Sequence, residues 1–177
     1  MTAKSGEAGR LCIPSLSTKI AVVVTLGIST NTRLLGLAII SRGGLADYSI
    51  HLHKSSWSPS KVTAIITSLE PCVRQYCIKN VVLSIPHAYH QTNQFKHLIS
   101  CIQTYFEAKN IPVSTKEAEA VYSLCPPGQK KTKKALMAAL TLQFPQLSYC
   151  YHKEMRNKNK YYIKVFEAVA VAALHEQ

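Results

Sequence analysis

The sequence predicts one α/β domain, a mixed five-stranded sheet in which an antiparallel three-strand meander leads into βα units, with helices on both faces. Three observations predict it. Residues 20–28 form a nearly unbroken β-branched apolar run; Gly43-Gly44 punctuates two neighbouring strand-like segments; and from Ser58 onward apolar residues alternate between helical spacing and short buried runs. A chain of 177 residues has the size of one domain with a sizeable core, and 47% hydrophobic content with only 7 Gly excludes a disordered or collagen-like polymer.

Residues 1–18 carry Gly, Ser, Lys and Pro without periodicity and are expected to be a flexible tail, leaving 19–177 as the domain. Ile20–Ile28 suits a strand buried on both faces. A polar turn is predicted at Ser29–Thr32, then a strand over Leu34–Ser41, a hairpin turn at Gly43-Gly44 and a returning strand over Leu45–Leu52. Ser58-Pro59 starts a helix that Val62, Ile65, Ile66, Leu69 and Val73 continue. Asn80–Ile85 reads as a buried strand ended by Pro86, and Gln94–Lys109 as an amphipathic helix. Ile111–Ser114 is the next expected strand, with a short helix at Glu117–Leu124 and a break at Pro126-Pro127-Gly128. Lys131–Phe144 reads as a helix, His152–Lys160 as a basic, mobile loop, and Phe166–Leu174 as an Ala/Val-rich helix buried against the sheet.

Charge narrows the function classes. The chain carries 21 Lys+Arg against 9 Asp+Glu, a formal +12, which points to a polyanionic partner. The excess is local: residues 129–164 hold Lys130, Lys131, Lys133, Lys134, Lys153, Arg156, Lys158, Lys160 and Lys164 against Glu154 alone. A solvated, solubilising surface is the plain alternative. No basic stretch is paired with a strong Trp/Phe/Leu face, and the longest apolar run falls far short of the ~20 residues a membrane span needs, so no membrane association is expected. The N-terminus lacks the order of a signal peptide, and the reading is a soluble, intracellular protein whose compartment stays open.

Six dispersed cysteines, Cys12, Cys72, Cys77, Cys101, Cys125 and Cys150, read as free thiols, since no second Cys/His pair stands at zinc-finger spacing. His51/His53 and His87/His90 have spacings a metal can use, but exposed or core-lining histidines are commoner, and no metal is assigned to them. Tyr149, Tyr151, Tyr161 and Tyr162 flank the basic 152–160 segment, and such aromatics either pack or stack on unpaired bases.

The predicted order, three hairpin-linked strands followed by alternating helices and strands, is that of the ribonuclease H-like superfamily, and three motifs carry a narrower resemblance. Leu26-Gly27-Ile28-Ser29-Thr30-Asn31-Thr32-Arg33-Leu34-Leu35-Gly36 resembles the first hairpin of RuvC-type Holliday-junction resolvases, L-G-I-D-P-G-S-R-x-x-G, with Gly27, Ile28, Arg33 and Gly36 matching. Val113–Leu140 is similar to that family's fourth-to-fifth-strand region, with Lys133 at a basic position near a helix start. Phe166–Ala172 is similar to its closing D-A-x-D-A-L-A-I-A helix.

RuvC-type enzymes cut phosphodiesters with two divalent ions about 3.5–4 Å apart, held by carboxylates. The resemblance places the four acid positions at Ser29, Ser84, Lys164 and Glu167, so one carboxylate of four remains. A hydroxyl is a weak ligand for Mg²⁺ and an ammonium repels it. Lys164 and Glu167 stand three apart on one helix face, where the ammonium either takes the place of a lost metal or forms an ordinary surface pair. The implied function is a catalytically inactive, RuvC-like protein that binds branched DNA or structured RNA through Arg33, Lys130, Lys131, Lys133, Lys134, Lys153, Arg156, Lys158 and Lys160, with no cofactor. Two alternatives stand beside it. One is a residual Mg²⁺-dependent structure-specific endonuclease using Glu167 with His87, His90 or a partner's carboxylate; the other is a protein-interaction module in a larger nucleic-acid-processing complex. A two-fold homodimer is a further implication of the resemblance.

Overall fold

The computed structural model describes residues 22–158 and 160–177. The expected tail, Cys12 and the first two residues of the predicted first strand lie outside the described residues. The sheet contains β1 (Val24–Thr30), β2 (Leu34–Ser41), β3 (Gly44–Leu52), β4 (Asn80–Ile85) and β5 (Val113–Glu117), in the order β3-β2-β1-β4-β5. β1, β2 and β3 pair antiparallel, whereas β4 and β5 run parallel to β1. Helices α1 (Pro59–Thr67), α2 (Glu70–Gln75) and α3 (Asn93–Glu107) cover one face; α4 (Lys133–Gln143), α5 (Ser148–Arg156) and α6 (Ile163–Glu176) cover the other. The predicted mixed α/β sheet with helices on both faces is therefore the observed fold, and it is ribonuclease H-like.

Alternation along the strands divides the core. Leu26, Ile28, Leu35, Leu37 and Ile39 point toward α1 and α3, meeting Val62, Ile65, Leu98, Ile102 and Phe106. Ala38, Ile40 and Val82 point the other way, toward Phe166, Val169 and Leu140. On this second face α6 lies flush with the sheet. A Cβ on Gly27 would collide with the Ala168 carbonyl and the Ala172 side chain, and one on Gly36 with the Lys164 backbone. Two hydrogens in β1 and β2 thus set how close α6 comes, and the Ala/Val composition of α6 keeps its own side narrow.

Several predicted boundaries are corrected. Ser29 and Thr30 are buried strand residues, not turn residues. Their hydroxyls donate to Glu167 and to the Asn31 and Leu34 carbonyls, and the turn itself is closed by Asn31, whose Oδ1 accepts from the Arg33 and Leu34 N–H groups. The next tight turn uses Arg42 and Gly43, both at positive φ, and Gly44 opens β3. The helix predicted to run from Ser58 through Val73 is two helices, because Pro71 has no N–H to continue the ladder past Thr67. β5 runs to Glu117, where a helix was expected to begin, since parallel pairing with β4 extends through Ser84–Lys116 and Ile85–Glu117; only a 3-10 turn at Ala120–Leu124 follows.

The largest correction is α5. The expected mobile loop at His152–Lys160 is helical through Arg156, because Cys150 and Glu154, one turn apart, face the core. Glu154 Oε2 accepts from the N–H groups of Tyr161 and Tyr162 at 2.9 and 2.8 Å, closing the segment that leads into α6. Tyr149 and Tyr151 accordingly lie on this helix. No helix among the described residues is long and apolar enough to cross a membrane.

Gly27→Ala is expected to destabilise the fold by about 3 kcal/mol or more, since the added methyl meets backbone, which cannot swing aside. Urea denaturation of the variant beside the parent chain measures this, and an unchanged midpoint would contradict the close approach.

Candidate functional site

The four positions singled out by motif converge at the C-terminal ends of β1 and β4. Ser29 and Ser84 are register partners on these adjacent parallel strands, and both are buried. Lys164 and Glu167 come down onto them from the first turns of α6. Gly36, paired with Ser29 across β1 and β2, is the residue that admits the Lys164 backbone.

A single oxygen organises the site. Glu167 Oε2 accepts from Ser29 Oγ at 2.7 Å and from Lys164 Nζ at 2.7 Å. The side chains of Lys164 and Glu167 are only 19% and 11% exposed, which separates the pair from an ordinary solvated surface bridge. The Tyr122 phenol faces the same space; burial and then the Glu167 carboxylate push its pKa up.

These groups line a cavity of about 260 Å³ bounded by Ser84, His90, Tyr122, Lys133, Lys164 and Glu167. A second hollow of about 270 Å³, with Asn31, Thr32 and Thr92 in its wall, shares Pro86, His90 and Lys164 with the first. The two lie side by side across the strand ends. A larger hollow of about 750 Å³, lined by Thr25, Arg42 and His175, opens by the other end of β1 and contains none of the predicted site residues.

The cavity offers one carboxylate, two hydroxyls and ammonium groups. A hard divalent cation takes oxygen ligands and depends on carboxylates for charge, while the carboxylate here is already matched by Lys164, so these residues do not fit such an ion. No group of three or more His, Cys, Asp or Glu among the described residues is placed to hold a metal.

Of the predicted basic residues, Lys133 reaches this cavity, at the start of α4. Arg33 is exposed in the β1–β2 turn; Lys130, Lys131 and Lys134 are exposed around the start of α4. Lys153 and Arg156 project from α5, and Lys158 and Lys160 follow it; none of these lines the cavity. Lys153 lies over the Tyr149 ring at 5.5 Å, and Lys160 Nζ donates to the Glu154 carbonyl at 3.0 Å.

Two residues that sequence reasoning passed over belong to the neighbourhood. Lys116 is the register partner of Ser84, hidden because the sequence pattern ends the strand at Ser114 and opens the next element at Glu117, leaving Lys116 between them. Tyr89 is 91% exposed in the 3-10 turn between β4 and α3 and stacks on His87. A lone aromatic beside Pro86 and two histidines was the only signal for it.

The other histidine pair is elsewhere. His51 and His53 lie at the end of β3, within hydrogen-bonding reach of Ser49 Oγ (3.1 Å) and Ser68 Oγ (3.4 Å). Burial lowers both pKa values, with positive neighbours adding to the effect at His53. Cys72, Cys77, Cys101, Cys125 and Cys150 are free thiols, and burial raises Cys72, Cys125 and Cys150 away from reactivity.

The architecture is that of RuvC-type resolvases. The chain superposes on RuvC of Thermus thermophilus with a TM-score of 0.65 at 13% identity, covering 87% of this chain and 93% of that one. Against T. thermophilus RuvC in complex with a Holliday junction substrate the TM-score is 0.62 at 16% identity, covering 87% and 92%. Against fowlpox virus resolvase with its substrate Holliday junction DNA it is 0.54 at 12% identity, covering 86% and 96%. At these identities the likeness establishes a RuvC-like fold. No protein-family model matches the chain, and no curated protein matches it by sequence.

Glu167→Ala strands the Lys164 ammonium and should cost about 3 kcal/mol, whereas Lys164→Met/Glu167→Leu should restore stability to near the parent value. Chemical denaturation of the single and double variants distinguishes a buried pair from a solvated one, for which both changes would be silent. The lowered His51 and His53 values make a separate claim. Below pH 6.5 the unfolded chain binds protons that the folded chain does not, so stability is full above that pH and falls as pH drops through the window below it. His51→Gln/His53→Gln should flatten that slope in denaturation midpoints measured across pH 5 to 7.

Proposed function

We propose that this chain is a pseudoenzyme that binds branched or structured nucleic acid without cutting it, a RuvC-like domain whose cleft has exchanged metal chemistry for an internal ion pair. The observation carrying this reading is the Lys164–Glu167–Ser29 arrangement at 2.7 Å on each side of one carboxylate oxygen. The motifs equate Ser29, Ser84, Lys164 and Glu167 with the carboxylates that hold two divalent ions in RuvC-type enzymes. Lys164 supplies the positive charge such an ion would bring, but offers no open coordination position for an attacking water. The chain accordingly uses no cofactor.

Placement of the bases supports a polyanionic partner. Arg33 follows β1, His87 and His90 follow β4, Lys116 ends β5, and Lys133 and Lys164 begin α4 and α6, so these segments meet around one end of the sheet. Lysines and arginines in this arrangement neutralise phosphates and release counterions irrespective of metal. The exposed Tyr89 beside them offers a ring on which an unpaired base at a branch can stack. Two RuvC-like neighbours hold Holliday junctions, which favours branched DNA as the ligand, and a two-fold dimer on a two-fold junction belongs to the same reading.

The test is a competition between a four-way junction and linear duplex of the same sequence at about physiological salt. The junction should win, and no product should appear with Mg²⁺. Lys130→Ala/Lys131→Ala/Lys133→Ala/Lys134→Ala should weaken binding and flatten its salt dependence. Ser29→Asp/Ser84→Glu/Lys164→Asp should gain Mg²⁺-dependent cleavage. Parent-chain cleavage abolished by Glu167→Gln would instead establish a working nuclease, and equal weak binding of both DNAs would favour a protein-interaction module.

A further inference from the structure

A second cluster of polar groups lies at the far end of α6 from the Lys164–Glu167 pair. Gly27 lies against Ala168 and Ala172, so one further helical turn and two further strand residues, roughly 6 Å each, bring Glu176 and Thr25 to the same level. Both line the hollow of about 750 Å³ at the start of β1. Thr25 is fully buried, and its Oγ1 has no hydrogen-bond partner among the described residues; Glu176 Oε1 is buried and equally without one. Glu176 Oε2, by contrast, accepts from the Gly43 N–H at 3.1 Å. A buried donor or acceptor left unmatched is costly unless a ligand or water completes it. Asn80, the register partner of Thr25 on β4, adds an amide to the same lining.

Charges of both signs meet here without pairing. Glu176 holds the Arg42-Gly43 turn, yet Arg42 and Glu176 form no ion pair with each other or with any described residue. Arg42 stands at φ 53°, where Asn, Asp or Gly is the favoured residue, so a guanidinium is kept at this hollow at a conformational cost. The end of α6 reinforces the opposite charge, because the last carbonyls of a helix lack partners within it and carry its partial negative pole. Val22 and Val23 add an apolar wall, and Val23 is 49% exposed.

We propose that this hollow binds a small zwitterion of the amino-acid class with an apolar side chain. Its ammonium goes to Glu176 Oε1 and the α6 carbonyls, its carboxylate to Arg42 and the Thr25 hydroxyl, and its side chain to Val22 and Val23. A lone cation would face Arg42 and His175, and a lone anion would face Glu176 and the negative end of the helix; a ligand bearing both signs matches both. The volume lies in the range of small-molecule sites and admits a free amino acid or a dipeptide. The site is separate from the nucleic-acid reading and stands or falls without it.

The experiment is an amide-shift titration of the full chain with L-leucine, with isoamylamine and 4-methylpentanoate as arms that each lack one charge. Saturable shifts are expected at Thr25, Gly43, Asn80 and Glu176, with leucine binding about tenfold or more tighter than either arm, since a hydrogen bond to a charged group contributes on that order. Glu176→Gln and Arg42→Asn should each weaken leucine about tenfold, and Arg42→Asn, which suits the turn, should raise the urea midpoint. Thr25→Val removes the unmatched hydroxyl, so it should weaken leucine while leaving the unliganded fold at least as stable as the parent. Shifts that never saturate, equal midpoints for leucine and either arm, or a Thr25→Val chain less stable than the parent would overturn the proposal. Leucyl-leucine assigns the source: a tighter midpoint than leucine places a peptide in the hollow, and a weaker one places a free amino acid there.

Discussion

The close approach of α6 to the sheet is the constraint on which the rest depends. Gly27 and Gly36 remove the two side chains that would hold the helix away, and Ala168 and Ala172 keep its own surface thin. Dense packing then leaves little freedom in where the helix's first turns sit. Lys164 and Glu167 are delivered over Ser29 by the same contacts that build this half of the core, so site geometry and fold stability are one quantity here. A looser helix would expose the ion pair to water and reduce it to a surface bridge.

Charge in the cleft is balanced from within. A lone carboxylate amid buried strands would be penalised by desolvation, and two donors on one oxygen remove most of that penalty. The arrangement is self-contained, with its cation covalently part of the chain. That distinguishes it from a cleft holding several carboxylates, where the stabilising charge must arrive from solution and its departure leaves mutual repulsion.

The sheet and its two helical layers were legible because strand patterns and turn signals agree with one another over most of the chain. The sequence pattern places β2 at its observed boundaries, and β4 ends where Pro86 must end it. The misreadings have local causes. Lys116 and Glu117 look unlike a strand, yet an edge position paired to β4 accepts them. α5 was obscured by its many charges, and its buried face consists of little more than Cys150 and Glu154. At the site, motif order sufficed to bring Ser29, Ser84, Lys164 and Glu167 together. It did not show that Ser29 hydrogen-bonds across 138 residues to Glu167, because that bond depends on how near two glycines let a helix come. Tyr89 and Lys116 carried no pattern of their own.

Glu154 shows how a residue can serve one function by being unavailable for another. It is the only acid among the bases of residues 129–164, yet it is fully buried and turned toward the Tyr161 and Tyr162 amides. A macromolecule approaching this flank therefore meets lysines and arginine without an interspersed carboxylate. The tie also joins α5 to the start of α6, so the bases of α5 stand on a helix already held in place when a partner arrives.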